Sequence, residues 1–415
     1  LLSVCTIFRN EEDFLPGWLD NILPFADELV LVDTGSTDKS RSIINDRGLE
    51  VVDFSWCDDF SAARNFSLSL AKGDWVLVLD CDDRLLSADF QNLLDFLSSS
   101  SSKADGYLFN YLNVKSGKWD AADRVLHSVQ TQLRLFRNFR NYSYSGIVHE
   151  NIAPSIEAAG GNLAQSPVPI YHLGYAGELF QKKKQRNLKL IERYYREQPQ
   201  KAEAVYLYAC ARFGREMEVY VLLKKAFELA VGELKLRCAE KILLWLMEYG
   251  IDNKALQKET VFYESYLLSS SSHAGVAFLK KAREFYEAGN TEQAFFYYRR
   301  VYDSIDCSGA GSFREEVYVR SGELSAICGD FSGAEAIFRE QELYYGRTPF
   351  IYYQLCKLYF VAGQYDKFAV EILNFPDNLI SLPYQERLQL LSGIRKLPPK
   401  TGLELEKLYI SAAEI

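Results

Sequence analysis

The sequence predicts an α/β domain on a mostly parallel sheet followed by an all-α domain, and three observations carry that prediction. Short apolar runs alternate with helical stretches through the first hundred residues. Polar clusters follow the apolar runs, and beyond about Leu179 strand signals give way to Ala, Leu, Glu, Lys, Tyr and Phe at helical spacing. The 415 residues exceed what one hydrophobic core supports, so the chain is divided into domains at 1–178 and 179–415.

In order, the pattern predicts a strand at Leu2–Phe8, a helix at Phe14–Leu23, a strand at Glu28–Val32, a helix at Lys39–Asp46 and a strand at Glu50–Phe54. A helix at Ala62–Leu70 then leads to a strand at Trp75–Leu79. Continuous apolar runs such as Leu29–Val32 suit parallel strands covered on both faces, and such sheets bind ligands at the carboxyl ends of their strands. Alternating segments at Gly106–Val114 and Gln130–Phe136 predict further strands, and the serine runs Ser98–Ser102 and Ser269–Ser272 read as surface loops. In the second half, Gly289, Gly329 and Gly363 recur about 40 and then 34 residues apart, each followed by a small or aromatic helix residue, near the tetratricopeptide period. An all-α bundle without regular repeats is the alternative.

A net charge of -9 argues against a nucleic-acid partner, which needs clustered Lys and Arg. No apolar run reaches the roughly 20 residues of a transmembrane helix, and no signal-peptide pattern is present. The eight cysteines, with no CxxC pair, are expected to be reduced core residues, which together predict a cytoplasmic protein.

Asp80, Cys81, Asp82 and Asp83 directly follow the strand at Trp75–Leu79. Carboxylates there are costly to bury unless they hold a cation or accept hydrogen bonds, and Mg²⁺ or Mn²⁺ is a natural occupant; a turn or helix cap is the structural alternative. Three further motifs stand in order around this one: Thr6–Glu12 (TIFRNEE), Val32–Asp38 (VDTGSTD) and Phe60–Asn65 (FSAARN). Together the four resemble family 2 glycosyltransferases with the GT-A fold, a Rossmann-like sheet, over about 175 residues. The resemblance implies that Thr6, Phe8, Arg9, Glu11, Asp33, Asp59, Arg64, Asp80 and Cys81 bind a nucleotide-sugar, most readily a UDP-sugar, and that Asp82 ligates the metal at the diphosphate.

Tyr142–Glu150 is similar to the same family's acceptor-side segment, which implies Glu150 as catalytic base of an inverting transfer and His172 as a further metal ligand. This chain has His149-Glu150-Asn151 where the family often carries a Glu-Asp pair. Lys182, Lys183, Lys184 and Arg186 read as a solvated helix face, with closure over a diphosphate as the alternative. A catalytic domain followed by helical repeats resembles the bacterial enzymes that glycosylate sublancin-type peptides, which implies a peptide or protein acceptor held partly by the repeats. A cell-surface or lipopolysaccharide-core saccharide is the alternative acceptor, and a non-catalytic nucleotide-binding or protein-interaction module the alternative of another class. A nucleotidyltransferase would carry a Gly-rich loop after the first strand, and Phe8–Glu12 has no Gly. Apolar faces left open by single repeats further predict a homodimer through the helical domain.

Overall fold

The computed structural model describes residues 1–98, 103–114, 126–174, 177–250, 256–270, 273–304, 313–345, 348–374 and 382–396, with residues 402 and 406 beyond them. Residues 99–102 and 271–272 of the serine runs, Cys307, and the side chain of Lys182 lie outside what is described. The chain forms two compact units, Leu1–Arg212 and Phe213–Ile415. The sequence puts the change of character at 178/179. The division falls later because helices α6 (Gly177–Glu197) and α7 (Ala202–Ala211) belong to the first unit, where Leu190, Ile191 and Leu207 pack with Val148, Trp56 and Phe60.

The first unit is a nine-stranded sheet with the order β3-β2-β1-β4-β7-β6-β9-β5, and β8 pairs with β6 off this path. Strands β1 (Leu2–Phe8), β2 (Glu28–Asp33), β3 (Val52–Asp53) and β4 (Trp75–Val78) run parallel. Beyond β4 the sheet turns mixed. β7 (Leu126–Arg137) is antiparallel to both β4 and β6 (Gly106–Val114), while β8 (Leu163–Gln165) and β9 (Ile170–His172) are parallel to β6. The two-residue β5 (Asp83–Arg84) closes the edge against β9.

β2 and β4 carry the continuous apolar runs Leu29–Val32 and Trp75–Val78 because both faces of the sheet are covered there. Val4, Leu31 and Leu77 face one core with Trp18 and Leu19 of α1 (Leu15–Ile22) and Phe90 of α4 (Ser87–Ser98). Their neighbours Cys5, Val30, Val32, Val76 and Val78 face the other core, with Phe66 of α3 (Phe60–Leu70) and Ile156 of α5 (Ala153–Ala158). A short α2 (Ser40–Asn45) completes the βα crossovers. The expectation that all cysteines are core residues fails at Cys57 and Cys328, which are exposed; all seven described cysteines are free thiols.

The second unit holds α8 (Met217–Leu229), α9 (Gly232–Tyr249), α10 (Gln257–Leu268) and α17 (Tyr384–Ile394) around three helical hairpins. These are α11 (Gly275–Glu287) with α12 (Thr291–Asp303), α13 (Arg314–Ile327) with α14 (Phe331–Tyr345), and α15 (Pro349–Val361) with α16 (Tyr365–Asn374). Each turns on a left-handed glycine, Gly289 (φ 71°), Gly329 (φ 84°) and Gly363 (φ 70°). At each, the glycine N–H and the next N–H return to the helix just ended, as in Gly329 to Ala326 O (3.1 Å) and Asp330 to Ser325 O (2.9 Å). Five residues beyond each glycine stand Ala294, Ala334 and Phe368, all fully buried. Among the described residues no helix is long and apolar enough to cross a membrane.

Candidate active site

The loops after β1 and β2 are bound to each other at the carboxyl edge of the sheet. Asn10 adopts φ 56°, its N–H donates to Ser36 Oγ (3.0 Å), and its side-chain oxygen accepts from Thr37 N (2.7 Å). Glu11 N–H donates to Ser40 Oγ (2.8 Å) and Glu12 N–H to Asp38 Oδ2 (3.1 Å), while Asp38 Oδ1 accepts from Ser40 N (3.0 Å). Asp38 is thus a turn-former. Asp33 ends β2 buried, its Oδ1 accepting from Gly35 N (3.0 Å) and Ser36 N (2.8 Å).

Asp80, Asp82 and Asp83 lie where β4 ends, and a strand pairing delivers their partner. Asp83 is in register with His172 across β5 and β9, and Leu173 N–H donates to Asp82 O (2.9 Å). His172 Nδ1 stands 3.0 Å from Asp83 Oδ1 and 3.4 Å from Asp82 Oδ1. Ligand atoms of Asp82, Asp83 and His172 all fall within 4.8 Å of one another. Tyr111 of β6 donates its hydroxyl proton to Asp83, and Asp80 N–H donates to Asp83 Oδ2 (2.8 Å). Asp83 therefore orients His172, as carboxylates behind metal-binding histidines do.

Gly174 makes room for this group. A Cβ there would stand 2.1 Å from Asp82 Oδ2 and 2.9 Å from His172 Nε2, so both atoms face one small space beside the glycine. Lys183 of α6 places its Nζ 2.6 Å from Asp82 Oδ2, a cation of the chain's own. The Asp82 carboxylate and the His172 imidazole suit Mg²⁺ or Mn²⁺, so the residues present fit such an ion. Burial favours neutral Asp82, yet His172 and Lys183 hold its carboxyl below the usual range.

Asp80 sits between two buried guanidiniums. Arg64 of α3 donates to Oδ1, and Arg134 of β7 donates Nη2 to Oδ2 (3.1 Å) and to Tyr111 Oη (3.1 Å). Against burial, these two cations hold the Asp80 carboxyl far below the usual range. Arg64 Nη1 and Arg134 Nε are buried with no hydrogen-bond partner among the described residues. Arg64 also donates Nε to Glu150 Oε1 (3.1 Å), so one side chain ties Asp80 to Glu150. The Glu150 loop is pinned to α3: Asn65 Nδ2 donates to Tyr144 O (2.9 Å), Tyr144 N–H donates to Asn65 Oδ1 (2.7 Å), and Phe60 N–H donates to Ile147 O (3.0 Å). The FSAARN motif is legible in these contacts, with one residue holding the carboxylates and the next holding the loop. Burial, with Asp82 and Asp80 nearby, pushes the Glu11 carboxyl up to about 7 against the pull of Lys183.

The structure thus gathers Glu11, Arg64, Asp80, Asp82, Glu150 and His172, with Arg9 exposed at the rim. It keeps the side chains of Thr6, Phe8 and Cys81 in the core beneath, where Thr6 Oγ1 lies 3.8 Å from Cys81 Sγ. Asp59, expected in the nucleotide set, is the N-cap of α3, accepting from Ala62 N (3.1 Å) and Ser61 Oγ (2.7 Å). The solvated face expected at Lys182–Arg186 is corrected at Lys183, which reaches Asp82, while Lys184 and Arg186 are exposed, the Arg186 guanidinium lying over Phe60 at 4.9 Å. Tyr111, Arg134 and Gly174 are not singled out by the sequence, and Asp83 stands there only as a member of the acidic cluster. Only the strand pairings bring them to the site.

Residues 3–153 match the family described as Glycosyl transferase family 2. A TPR repeat-containing protein of Synechococcus elongatus is 28% identical over 270 residues, 63% of this chain and 60% of the relative. The SPbeta prophage-derived glycosyltransferase SunS of Bacillus subtilis is 24% identical over 223 residues, 51% of this chain and 48% of the relative. The chain therefore spans about half to three-fifths of the length of these relatives. The crystal structure of S. aureus TarS is similar at 16% identity with a TM-score of 0.37, covering 59% of this chain and 52% of that one. Residues 3–153, which carry the whole cluster except His172, Gly174 and the α6 cations, are a glycosyl transferase family 2 domain.

Proposed function

We propose that this chain moves a sugar from a nucleoside diphosphate sugar, a UDP-sugar in our reading, to a peptide or protein acceptor, with inversion at the anomeric carbon. The observation that carries the reading is the Arg64 bridge. In a family 2 domain it joins the carboxylate expected at the donor, Asp80, to the carboxylate expected at the acceptor, Glu150.

Asp82 and His172 would hold Mg²⁺ or Mn²⁺, which when bound neutralises the charge that develops on the departing diphosphate. Asp80, fixed by Arg64 and Arg134, presents a fully ionised acceptor for hydroxyls of the ribose or sugar. Glu150 takes the proton of the acceptor nucleophile as the bond to the anomeric carbon forms and the bond to the diphosphate oxygen breaks. The helical hairpins of the second unit support a polypeptide acceptor, since stacked hairpins make extended surfaces of the kind that grip peptides. Seven free thiols support a reducing compartment such as the cytoplasm. Pairing of two chains through the helical unit belongs to the same reading, on apolar side chains such as Val221, Val261 and Phe262 that stand exposed there.

The test is release of nucleoside diphosphate from UDP-glucose, UDP-N-acetylglucosamine and GDP-mannose with Mn²⁺. At least one donor is expected to turn over slowly without acceptor, and silence across the panel with no donor binding by calorimetry sinks the reading. Glu150→Gln is expected to lower acceptor-dependent turnover by at least about a hundredfold while sparing donor binding. An unchanged rate removes Glu150 as base.

A further inference from the structure

Beside the carboxylate cluster, α6 carries a row of cations that the reaction above does not use. Lys183, Arg186, Leu190 and Arg193 share one face of the helix, with Lys189 at its margin. From Lys183, which touches Asp82, to Arg193 the row extends about 15 Å at 1.5 Å per residue. Arg186, Lys189 and Arg193 line a cavity of about 490 Å³ together with Gln185, Leu190 and Asp58.

The far wall is built rather than incidental. Asp58 is held at φ 61°, its Oδ1 accepts from Trp56 Nε1 (2.6 Å), and its other oxygen accepts from Arg193. Trp56 packs edge-on against Phe60 at 4.8 Å, and Arg186 lies over the Phe60 ring. The cavity lining sets three cations against one carboxylate, Asp58; outside the lining Arg193 also pairs with Glu197 (3.6 Å), and Glu11, Glu150 and Asp80 act on Arg186, with Arg9 opposing them. The lining itself is net positive although the chain as a whole carries -9.

We propose that this cavity binds carboxylate side chains of an acidic segment of the acceptor peptide, laid along α6 toward Asp82; this rests on the transferase reading above. The mixed lining favours a peptide over a phosphate polymer. Gln185 and Asp58 offer groups to peptide amides, Leu190 and the aromatic wall offer apolar contact, and Asp58 repels a densely charged polyanion. Arg193 and Lys189 supply charge attraction that draws the acidic segment in.

The experiment uses the full chain and a fluorescein-labelled peptide of alternating Glu and Gly, read by anisotropy, with an alternating Gln and Gly peptide as control. The Glu peptide is expected to bind at least about tenfold more tightly than the Gln peptide, and less so at high salt. Lys189→Glu and Arg193→Glu are each expected to weaken it at least about tenfold while UDP binding with Mn²⁺, measured by calorimetry, stays at the wild-type value. Lys189 is exposed, so its variant carries the test even where Arg193→Glu disturbs the Asp58 contact. Equal binding of the two peptides, or charge reversals without effect, overturns the proposal. So does parallel loss of UDP binding, which assigns the cavity to the donor diphosphate, and so does tighter binding of inorganic polyphosphate than of the Glu peptide. Donor turnover in the same preparations is a separate readout: its absence sinks the transferase reading and leaves the anisotropy result to decide the cavity.

Discussion

At Gly174 the site depends on a single hydrogen atom. Any side chain there meets Asp82 Oδ2 at 2.1 Å, inside van der Waals contact, and the backbone φ is not in the left-handed region, so space alone demands glycine. Gly174→Ala is expected to displace Asp82 or His172 and to weaken Mn²⁺-dependent donor binding by about 10- to 100-fold, with the melting temperature within a few degrees of wild type. Asp82→Ala is the reference for full loss of that binding. Calorimetry with UDP and Mn²⁺ decides it, and wild-type binding by Gly174→Ala would mean the ion does not occupy the space beside the glycine. Asp80 and Asp82 are legible in the sequence because three further motifs stand in order around them; carboxylates after the apolar run WVLVL would by themselves suit a turn or helix cap as well. Tyr111, Arg134 and Gly174 are not legible, nor is the role of Asp83 behind His172, since nothing linear says that β5 pairs with β9 or that β7 aims Arg134 at Asp80. Lys183 misleads for the same reason: three consecutive lysines look like a solvated face until the helix is placed.

Among elements, the Tyr142–Asn151 loop is the one the chemistry leans on, and α3 holds it through the two hydrogen bonds of the Asn65 amide. Asn65→Ala leaves both Tyr144 backbone groups without that partner, which is expected to destabilise the first unit by about 1–3 kcal/mol. It frees Glu150 to drift from Arg64, so acceptor-dependent kcat is expected to fall while KM for the donor stays. Denaturant unfolding and steady-state kinetics read the two effects separately; a stability loss with unchanged kcat would show that the loop is positioned by other contacts. The long apolar strands and their crossover helices were readable to within a residue or two, because burial on both faces writes itself as continuous apolar sequence. β3 shrinks to Val52–Asp53 at the sheet edge, where both residues are exposed. β5, β8 and β9 are two or three residues long, too short for any period, and α4 was hidden beside a serine run that read as loop.

For the whole molecule, the second unit sets a pH limit, because its hairpins are joined by ionised glutamates. Glu316 of α13 accepts from Arg283 of α11 (2.9 Å) and from Tyr298 of α12 (2.9 Å). Glu335 of α14 accepts from Lys367 of α16 (2.7 Å) and Tyr359 of α15 (2.8 Å), and Glu264 of α10 pairs with Lys280 and Lys281 of α11 at 2.7 Å each. Burial favours the neutral acid at each, but the cations win and hold all three carboxyls below their ordinary value of about 4.5. A carboxyl whose folded value lies below its unfolded one contributes stability that is present above the unfolded value and lost as pH falls through the folded value. The melting temperature of the full chain, followed by helical circular dichroism, is therefore expected to hold from pH 7 to about 5 and to fall below about 4.5. Because any protein gains net positive charge in acid, the discriminating measurement is Glu316→Gln. Its melting temperature is expected to be lower than wild type at pH 7 and to differ less between pH 7 and pH 3, since the variant has already lost what acid removes. An equal pH difference in variant and wild type would place the acid sensitivity elsewhere than in the glutamate links between hairpins.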